Sequence, residues 1–330
     1  MVRVETFTTL AAVTRLVPEW KALWERIPDA TPFQSPEWLL SWWDHFGNSA
    51  PSVLIARDND KLIGVVALYR LDEVGGRKLL PIGISLSDYI DALVDPEYPN
   101  LPHRLVSAIA DLRDWDECYI PDLGPSAALL AAEPPASLQT DRSCGQTCPV
   151  LTLPNAVEGL REVVPRKTLR DLRQVRRRAA AVGTVAVARA DASNARAFMD
   201  GLFRLHELRW QRKGERGVCA DPVVRSFHLA ASARMLIADM ARLYLLRIGD
   251  SIAAAYYGFV AKGIAYAYLG GFDPDRAELS PGTQIVAHAI DEAVREGARE
   301  FHFLRGGEAY KYAWGAIDRP NTALTLRHRC

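Results

Sequence analysis

Between residues 243 and 304 the sequence runs strand, turn, strand, turn, strand, helix, strand, and that order limits the fold more than any other feature. Residues 243–248 are β-rich and close at the turn Gly249-Asp-Ser, residues 252–260 form a second run closed by Ala261-Lys-Gly, and residues 264–270 form a third. Turns this short join antiparallel neighbours, so a meander is expected. After the loop at Phe272-Asp-Pro-Asp comes a helix with its own punctuation. Ser280 stands where an N-cap belongs, Pro281 at the first helical position, and Gly297 just past the end. Ile285, Ala289 and Ala293, with Val286, Ile290 and Val294, recur at helical spacing and make one buried stripe. Residues 301–304 are then a short strand, which a helical crossover delivers parallel to the third.

A shorter version of the same order occurs earlier. Residues 53–57, the turn Asp58-Asn-Asp and residues 62–69 match the later hairpin, and Leu93-Val-Asp95-Pro96 parallels Gly271-Phe-Asp273-Pro274. A helix over 102–113 and a strand at 117–120 follow. A period this long reads as a duplicated domain rather than a solenoid, and 330 residues also exceed one ordinary core. With Pro134-Pro135 and the stretch 144–148 as the boundary region, the expected domains are 1–150 and 151–330. Residues 147–153 read as a strand, 155–183 as helical and 198–211 as another helix. The fold class is α/β (α+β), two tandem domains, each a mixed sheet flanked by helices.

Lys plus Arg number 40, as do Asp plus Glu, so no global charge draws the chain to nucleic acid or an anionic membrane. Any basic footprint is local. The N-terminus shows no charged leader followed by an apolar run, and the longest apolar stretch, near 252–260, is too short for a membrane span. Five scattered cysteines (Cys118, Cys144, Cys148, Cys219, Cys330) read as free thiols in a reducing compartment, with the cytoplasm as the default. Cys144 and Cys148 lack a second ligand pair nearby, so no metal site is expected. G-x-S-x-G and Walker-type loops are also missing.

Five segments carry candidate chemistry, each with a plainer structural reading beside it. At Ser280-Pro-Gly-Thr-Gln a helix N-terminus offers free N–H groups to a phosphate, with Gly282 allowing close approach; a simple cap explains it equally well. Leu304-Arg-Gly-Gly-Glu-Ala-Tyr-Lys follows a parallel strand, where ligands gather at the carboxyl end. There Tyr310 is a candidate general acid, and Arg305 or Lys311 a phosphate or carboxylate partner; alternatively Arg305 pairs with Glu308 and Tyr310 packs with Trp314. On the helix at 198–211, His206 shares a face with Arg209 and is a candidate base, or a packed histidine. Residues 166–178 hold a dense basic run, with Arg166, Arg170, Arg173 and Arg177 on one face. Such a run is a solvated face, a holder of cofactor phosphates or a holder of an RNA acceptor stem. In the first half, Ser35 with Pro36 opens an aromatic-rich helix, and Asp88 and Asp91 in Ser87-Asp-Tyr-Ile-Asp are amine ligands or turn caps.

Taken together, Pro32-Phe-Gln-Ser-Pro-Glu-Trp, Ser87-Asp-Tyr-Ile-Asp, Leu205-His-Glu-Leu-Arg-Trp, Ser280-Pro-Gly-Thr and Phe303-Leu-Arg-Gly-Gly-Glu-Ala-Tyr-Lys span nearly the whole chain. The set resembles the CelD/BcsL-like branch of the GNAT superfamily of acyltransferases, related to Fem-type peptidyltransferases. The resemblance implies two GNAT-like domains and transfer of an acyl group from an acyl thioester such as acyl-CoA to an amine by direct attack. It implies pantetheine along Tyr268, Leu269 and Gly270, and a pyrophosphate at Ser280, Gly282 and Thr283 with Arg305 and Lys311 nearby. Tyr310 then serves as acid to the departing thiolate, and His206, Glu207, Glu308 or Asp273 as the groups handling the amine proton. Asp88, Tyr89, Arg209 and Trp210 fall on the acceptor side. The family's phosphate loop carries two closely spaced glycines where this chain has only Gly282. Donors borne on an acyl carrier protein or as aminoacyl-tRNA, and a non-catalytic scaffold, therefore stand beside acyl-CoA. The partners left open are a small-molecule or carrier-bound amine, tRNA, a carrier protein and a second copy in a homodimer. The helix of the first copy opens with Leu101-Pro-His-Arg and lacks glycine, which puts the donor in the second domain.

Overall fold

Both copies of the strand pattern fold as antiparallel hairpins that return, through a crossover helix, to a short parallel pairing. In the computed structural model every residue except Lys213 and Cys330 is described; the expectation for Cys330 lies outside the described residues. The chain divides into two units, residues 1–147 with 319–330, and residues 148–318.

The first unit contains β1 (Val2–Phe7), α1 (Leu10–Arg15), α2 (Val17–Arg26), α3 (Pro36–Phe46), β2 (Pro51–Asp58), β3 (Lys61–Glu73), β4 (Gly76–Pro81), β5 (Leu93–Val94), α4 (Leu101–Asp111) and β6 (Glu117–Leu123). The long strand β7 (Leu138–Thr152) begins here and ends in the second unit. Strand order is β1-β2-β3-β4-β6, with β5 also on β3. The crossover helix α4 returns the chain to a parallel pairing of only two residues, Lys78 with Glu117 and Leu79 with Cys118. Leu54, Ile63, Leu105, Ile109 and Ile120 fill the core between helix and sheet. At α3 the Ser35 hydroxyl accepts the Trp38 amide proton at 3.3 Å, so the expected cap forms.

The second unit contains α5 (Leu160–Val163), α6 (Arg166–Val182), β8 (Val185–Arg189), α7 (Ala195–Arg212), α8 (Pro222–Ile237), β9 (Ala241–Ile248), β10 (Ser251–Ala261), β11 (Ile264–Phe272), α9 (Pro281–Arg295), β12 (Glu300–His302) and α10 (Ala309–Tyr312). Its strand order is β12-β11-β10-β9-β8, with the end of β7 antiparallel to β12. The apolar stripe of α9 (Ile285, Ala289, Ile290, Ala293, Val294) is buried with Tyr244, Leu246, Ala254 and Tyr256 on one face of that sheet. On the other face α7 packs on β9, β10 and β11.

Four expectations change. Residues 155–183 are not one helix: Val164 and Pro165 are extended, because proline's ring disfavours the helical region for the residue before it. The first copy has a third strand, β4, that the pattern reading left out. Residues 319–330 fall in the first unit, not the second, because the last strand β13 (Ile317–His328) pairs with β6 from Thr322 to Leu326. Ser280 does not cap α9 with its side chain; it adopts a left-handed backbone, φ 45° and ψ 53°. Among the described residues no helix is long and apolar enough to cross a membrane.

Candidate active site

The site is set by where β11 and β12 stop pairing. They run parallel over three residue pairs, ending at Tyr266 with His302. β12 ends there, while β11 continues to Phe272. From Ala267 onward that edge of β11 has no partner strand among the described residues. Its backbone groups thus face a gap that a linear ligand satisfies by strand-like hydrogen bonding.

The opposite edge carries a second irregularity. Tyr257 pairs with Leu269, but the next residue, Gly258, pairs with Ala267. Tyr268 is therefore the extra residue of a β-bulge. A bulge leaves its residue out of the ladder and turns the strand locally. Gly270 is in ladder register opposite Tyr256 and Leu269 opposite Tyr257, so the residue out of register is Tyr268 alone. Tyr268, Leu269 and Gly270 are all half-buried.

The polypeptide leaves β11 through a short 3-10 turn, Pro274–Leu279, and enters α9. Asp273 accepts the Asp275 amide at 3.0 Å and pairs with Arg276 at 3.6 Å, so its carboxylate holds this turn. The buried Gln284 donates to the Leu279 carbonyl at 2.8 Å and fixes the turn from the other side. With no side chain capping it, α9 presents the N–H groups of Gly282 and Thr283 at its positive end. Pro281 has none to offer. A methyl group on Gly282 would lie 3.1 Å from the Phe272 ring, so a larger residue there needs that ring to give by a few tenths of an ångström.

After β12 the chain makes a tight loop with left-handed residues at Leu304 (φ 59°) and Gly306 (φ 105°). Lys311 holds it. Only 2 % exposed, its ammonium donates to the carbonyls of Leu304 (3.0 Å), Arg305 (2.7 Å) and Gly306 (3.0 Å) and pairs with Glu308 at 2.9 Å. In this arrangement every proton of the ammonium is engaged within the loop, so Lys311 holds the loop together. Burial works against ionising Glu308, yet the hydrogen bond from Lys311 holds its carboxyl below the usual range.

Tyr310 stands on this loop, edge-on to Phe303 at 6.2 Å and 46 % exposed. Desolvation first, then the Glu308 carboxylate, pushes its phenol up to about 12. It remains protonated at neutral pH. Arg209, from the end of α7, sits 5.5 Å from the centre of the Phe272 ring and acts electrostatically on both Glu308 and Tyr310. Arg209, Phe272, Glu308 and Tyr310 thus converge from three elements at the open end of the parted strands. Arg305 is half-buried, and its carbonyl is one of the three on Lys311.

His206 is held differently from a base. Its Nε2 accepts the Trp210 indole proton at 2.9 Å, which puts its own proton on Nδ1, buried and without a partner. Burial, then Arg209 and Arg225, lower its pKa to about 4. Its one lone pair is already used, so this imidazole orients Trp210 and takes no substrate proton in this arrangement. Glu207 faces away, paired with Arg225 at 2.8 Å. Behind His206, α7 presses onto β11 so closely that a methyl on Gly271 would lie 2.6 Å from the His206 amide nitrogen. His228 of α8 lies deeper, edge-on to Tyr268 at 5.5 Å, its pKa lowered to about 3 by burial and then by His206.

Asp88 and Tyr89 belong to the first unit, where both are buried and Tyr89 has φ 53°. Asp91 accepts the amides of Ala128 (2.6 Å) and Leu129 (3.1 Å), the capping alternative of its sequence reading. No cluster of three or more His, Cys, Asp or Glu suited to a metal occurs among the described residues. Sequence reasoning missed Gln284 and the bulge at Tyr268; the first had a signal in its position one turn into α9, the second had none.

Residues 166–312, all within the second unit, match the family described as acetyltransferase (GNAT) domain. The whole chain is similar in fold to the crystal structure of FemX, with a TM-score of 0.68 at 12 % identity over 98 % of this chain and 96 % of that one. It is also similar to L-PGS from Bacillus licheniformis, with a TM-score of 0.56 at 10 % identity over 88 % and 91 % of the two chains. A conserved protein of unknown function from Bacteroides thetaiotaomicron gives 0.60 at 11 % identity over 99 % and 100 %. No curated protein matches the sequence.

Proposed function

We propose that this acyltransferase, tandem GNAT-like in fold, binds an acyl thioester in its second unit and passes the acyl group to an amine. The observation that carries the reading is the parting of β11 from β12 after Tyr266, with the bulge at Tyr268 beside it and the free end of α9 beyond. A pantetheine arm suits a strand edge along which no partner strand continues among the described residues. A phosphate suits the amides of Gly282 and Thr283, with the positive end of α9 adding to them. Acyl-CoA is the donor this arrangement supports first.

Transfer needs little from side chains. The amine nitrogen forms a bond to the thioester carbon, the carbonyl oxygen takes up negative charge, and the C–S bond breaks as the tetrahedral centre collapses. Holding both reactants in one cleft supplies much of the acceleration, and amides at the bulge stabilise the oxyanion. Tyr310 donates a hydrogen bond to the departing sulfur. With a thiol near 8.5 and the phenol at about 12, complete transfer is uphill, so the proton finally reaches sulfur from the amine through solvent.

In this reading Glu308 and Asp273 shape the loops on either side of the cleft, while Arg209 and Trp210 face the acceptor. The five sequence motifs resemble those of CelD/BcsL-like proteins and support a reading of the chain as one of that branch. Cys118, Cys144, Cys148 and Cys219 are free thiols, which suits a reducing compartment such as the cytoplasm. Calorimetric titration with acetyl-, octanoyl- and palmitoyl-CoA, followed by thiol release with a panel of amines, tests the proposal. Absence of binding by every thioester would remove it.

A further inference from the structure

The surface of α6 has no part in the site above, and its charge is out of keeping with a chain of zero net charge. Arg166, Lys167, Arg170, Arg173, Arg176, Arg177 and Arg178 are exposed, against one acid on the helix, Asp171. Asp171 is shared by Lys167 (2.7 Å) and Arg170 (3.5 Å), and Arg176 is taken by Asp291 of α9 at 3.6 Å. No carboxylate pairs with Arg166, Arg173 or Arg177 among the described residues. Arg166 with Arg170, and Arg173 with Arg177, are like charges one turn apart, a spacing that weakens a helix. A stripe of about 16 Å that costs its own helix stability is explained by something that covers it.

Beside the stripe lies a cleft of about 1070 Å³ between α5, α6 and α9. Its floor is apolar, from Leu160, Val163, Val164, Leu169 and Leu172, and Arg161, Arg166 and Arg173 stand on its rim with Glu158 and Glu162. The mixture decides the class of partner. A nucleic-acid backbone gains nothing from an apolar floor, since its affinity comes from phosphate contacts to cations. An amphipathic helix with an acidic face places its leucines in the cleft and its carboxylates on the arginines.

We infer that α6 and its cleft are a docking surface for an acidic amphipathic helix of a protein partner. The proposal stands apart from the acyl-transfer reading, because no residue of the parted strands takes part.

The test uses the full chain and a labelled helical peptide of about five turns, with glutamates on one face and leucines on the other. A scrambled peptide of the same composition and an RNA of about 20 nucleotides serve as competitors. At physiological ionic strength the helical peptide is expected to bind at least about tenfold more tightly than the scramble. Arg170→Glu with Arg173→Glu should weaken it by about tenfold or more with the thermal midpoint unchanged, and Leu169→Ser should weaken it without altering charge on the stripe. Equal binding of the scramble would reduce the surface to a plain charge patch and overturn the proposal. RNA binding more tightly than the peptide, lost in the same double variant, would overturn it in favour of a nucleic-acid surface. Binding of neither probe would also overturn it.

Discussion

The ammonium nitrogen of Lys311 lies 2.7 Å from the carbonyl oxygen of Arg305, and that contact explains how a tyrosine is presented at the mouth of the cleft. Two further carbonyls and the Glu308 carboxylate complete its surroundings. The loop they hold includes a left-handed, buried leucine, Leu304, which local preferences alone would not keep. Tyr310 precedes the lysine on the same helical turn, so its position depends on this anchor.

Lys311→Met removes the donor and leaves three carbonyl oxygens without it. The loss should be about 2–4 kcal/mol of stability, because buried acceptors are left unsatisfied. Denaturant unfolding measures this directly. Glu308→Gln should cost less, since a carboxamide still accepts from the ammonium and the residue is partly exposed.

Tyr310→Phe removes a hydroxyl and keeps the ring against Phe303. Thermal stability should stay within experimental error, while turnover of an acyl thioester falls by about 10²-fold. Substrate affinity should barely change, because the hydrogen bond to sulfur forms as the thiolate leaves. Steady-state thiol release separates the two.

Adjacent glycines on β11 should behave oppositely. Gly271→Ala drives a methyl into the α7 backbone, 2.6 Å from the His206 nitrogen, and should destabilise by about 1–3 kcal/mol. At Gly270 the nearest atom to such a methyl is 3.6 Å away, so Gly270→Ala should leave the unfolding midpoint almost unchanged. Comparing the two midpoints checks how tightly α7 is pressed onto the donor strand.

Acid should act on the two units in opposite directions. His206 and His228 fall from 6.5 unfolded to about 4 and about 3 folded. Between those values the unfolded chain binds more protons, so their stabilisation is complete above 6.5 and lost as pH falls toward 4 and below. Asp91 of the first unit shifts the other way, from 3.8 to about 7 through burial, and gains stability as pH drops from 7 to 4. Hydrogen exchange at pH 7 and 5 should show protection falling around α7 and α8 but not around Asp91.

The hairpins and crossover helices were legible in the sequence because alternation and helical spacing change abruptly at Gly249-Asp-Ser, Ala261-Lys-Gly and Ser280-Pro. The strand β4 was readable in principle, since Gly75-Gly76 punctuates the end of β3; its apolar residues, Leu79 to Pro81, were too few to show alternation. Lys311 shows where such reading ends. Beside Arg305 it resembles an anion-binding residue, and only a folded loop that turns three carbonyls inward reveals its use. The bulge at Tyr268 had no sequence signal, because one extra residue leaves the apolar pattern of β11 unchanged. His206 left two readings open for a related reason: the tryptophan that occupies its lone pair lies one turn away, where ring geometry rather than spacing decides the contact.

The donor reading rests on a phosphate at the start of α9, and Thr283→Glu tests it most directly. Thr283 is exposed in the first turn, where an added carboxylate stabilises the helix while repelling a second anion. Calorimetric titration with acetyl-CoA should show affinity reduced by about tenfold or more with the unfolding temperature held or raised. Unchanged affinity in the variant would mean that the thioester, if it binds, does not use this helix end, and would contradict the account.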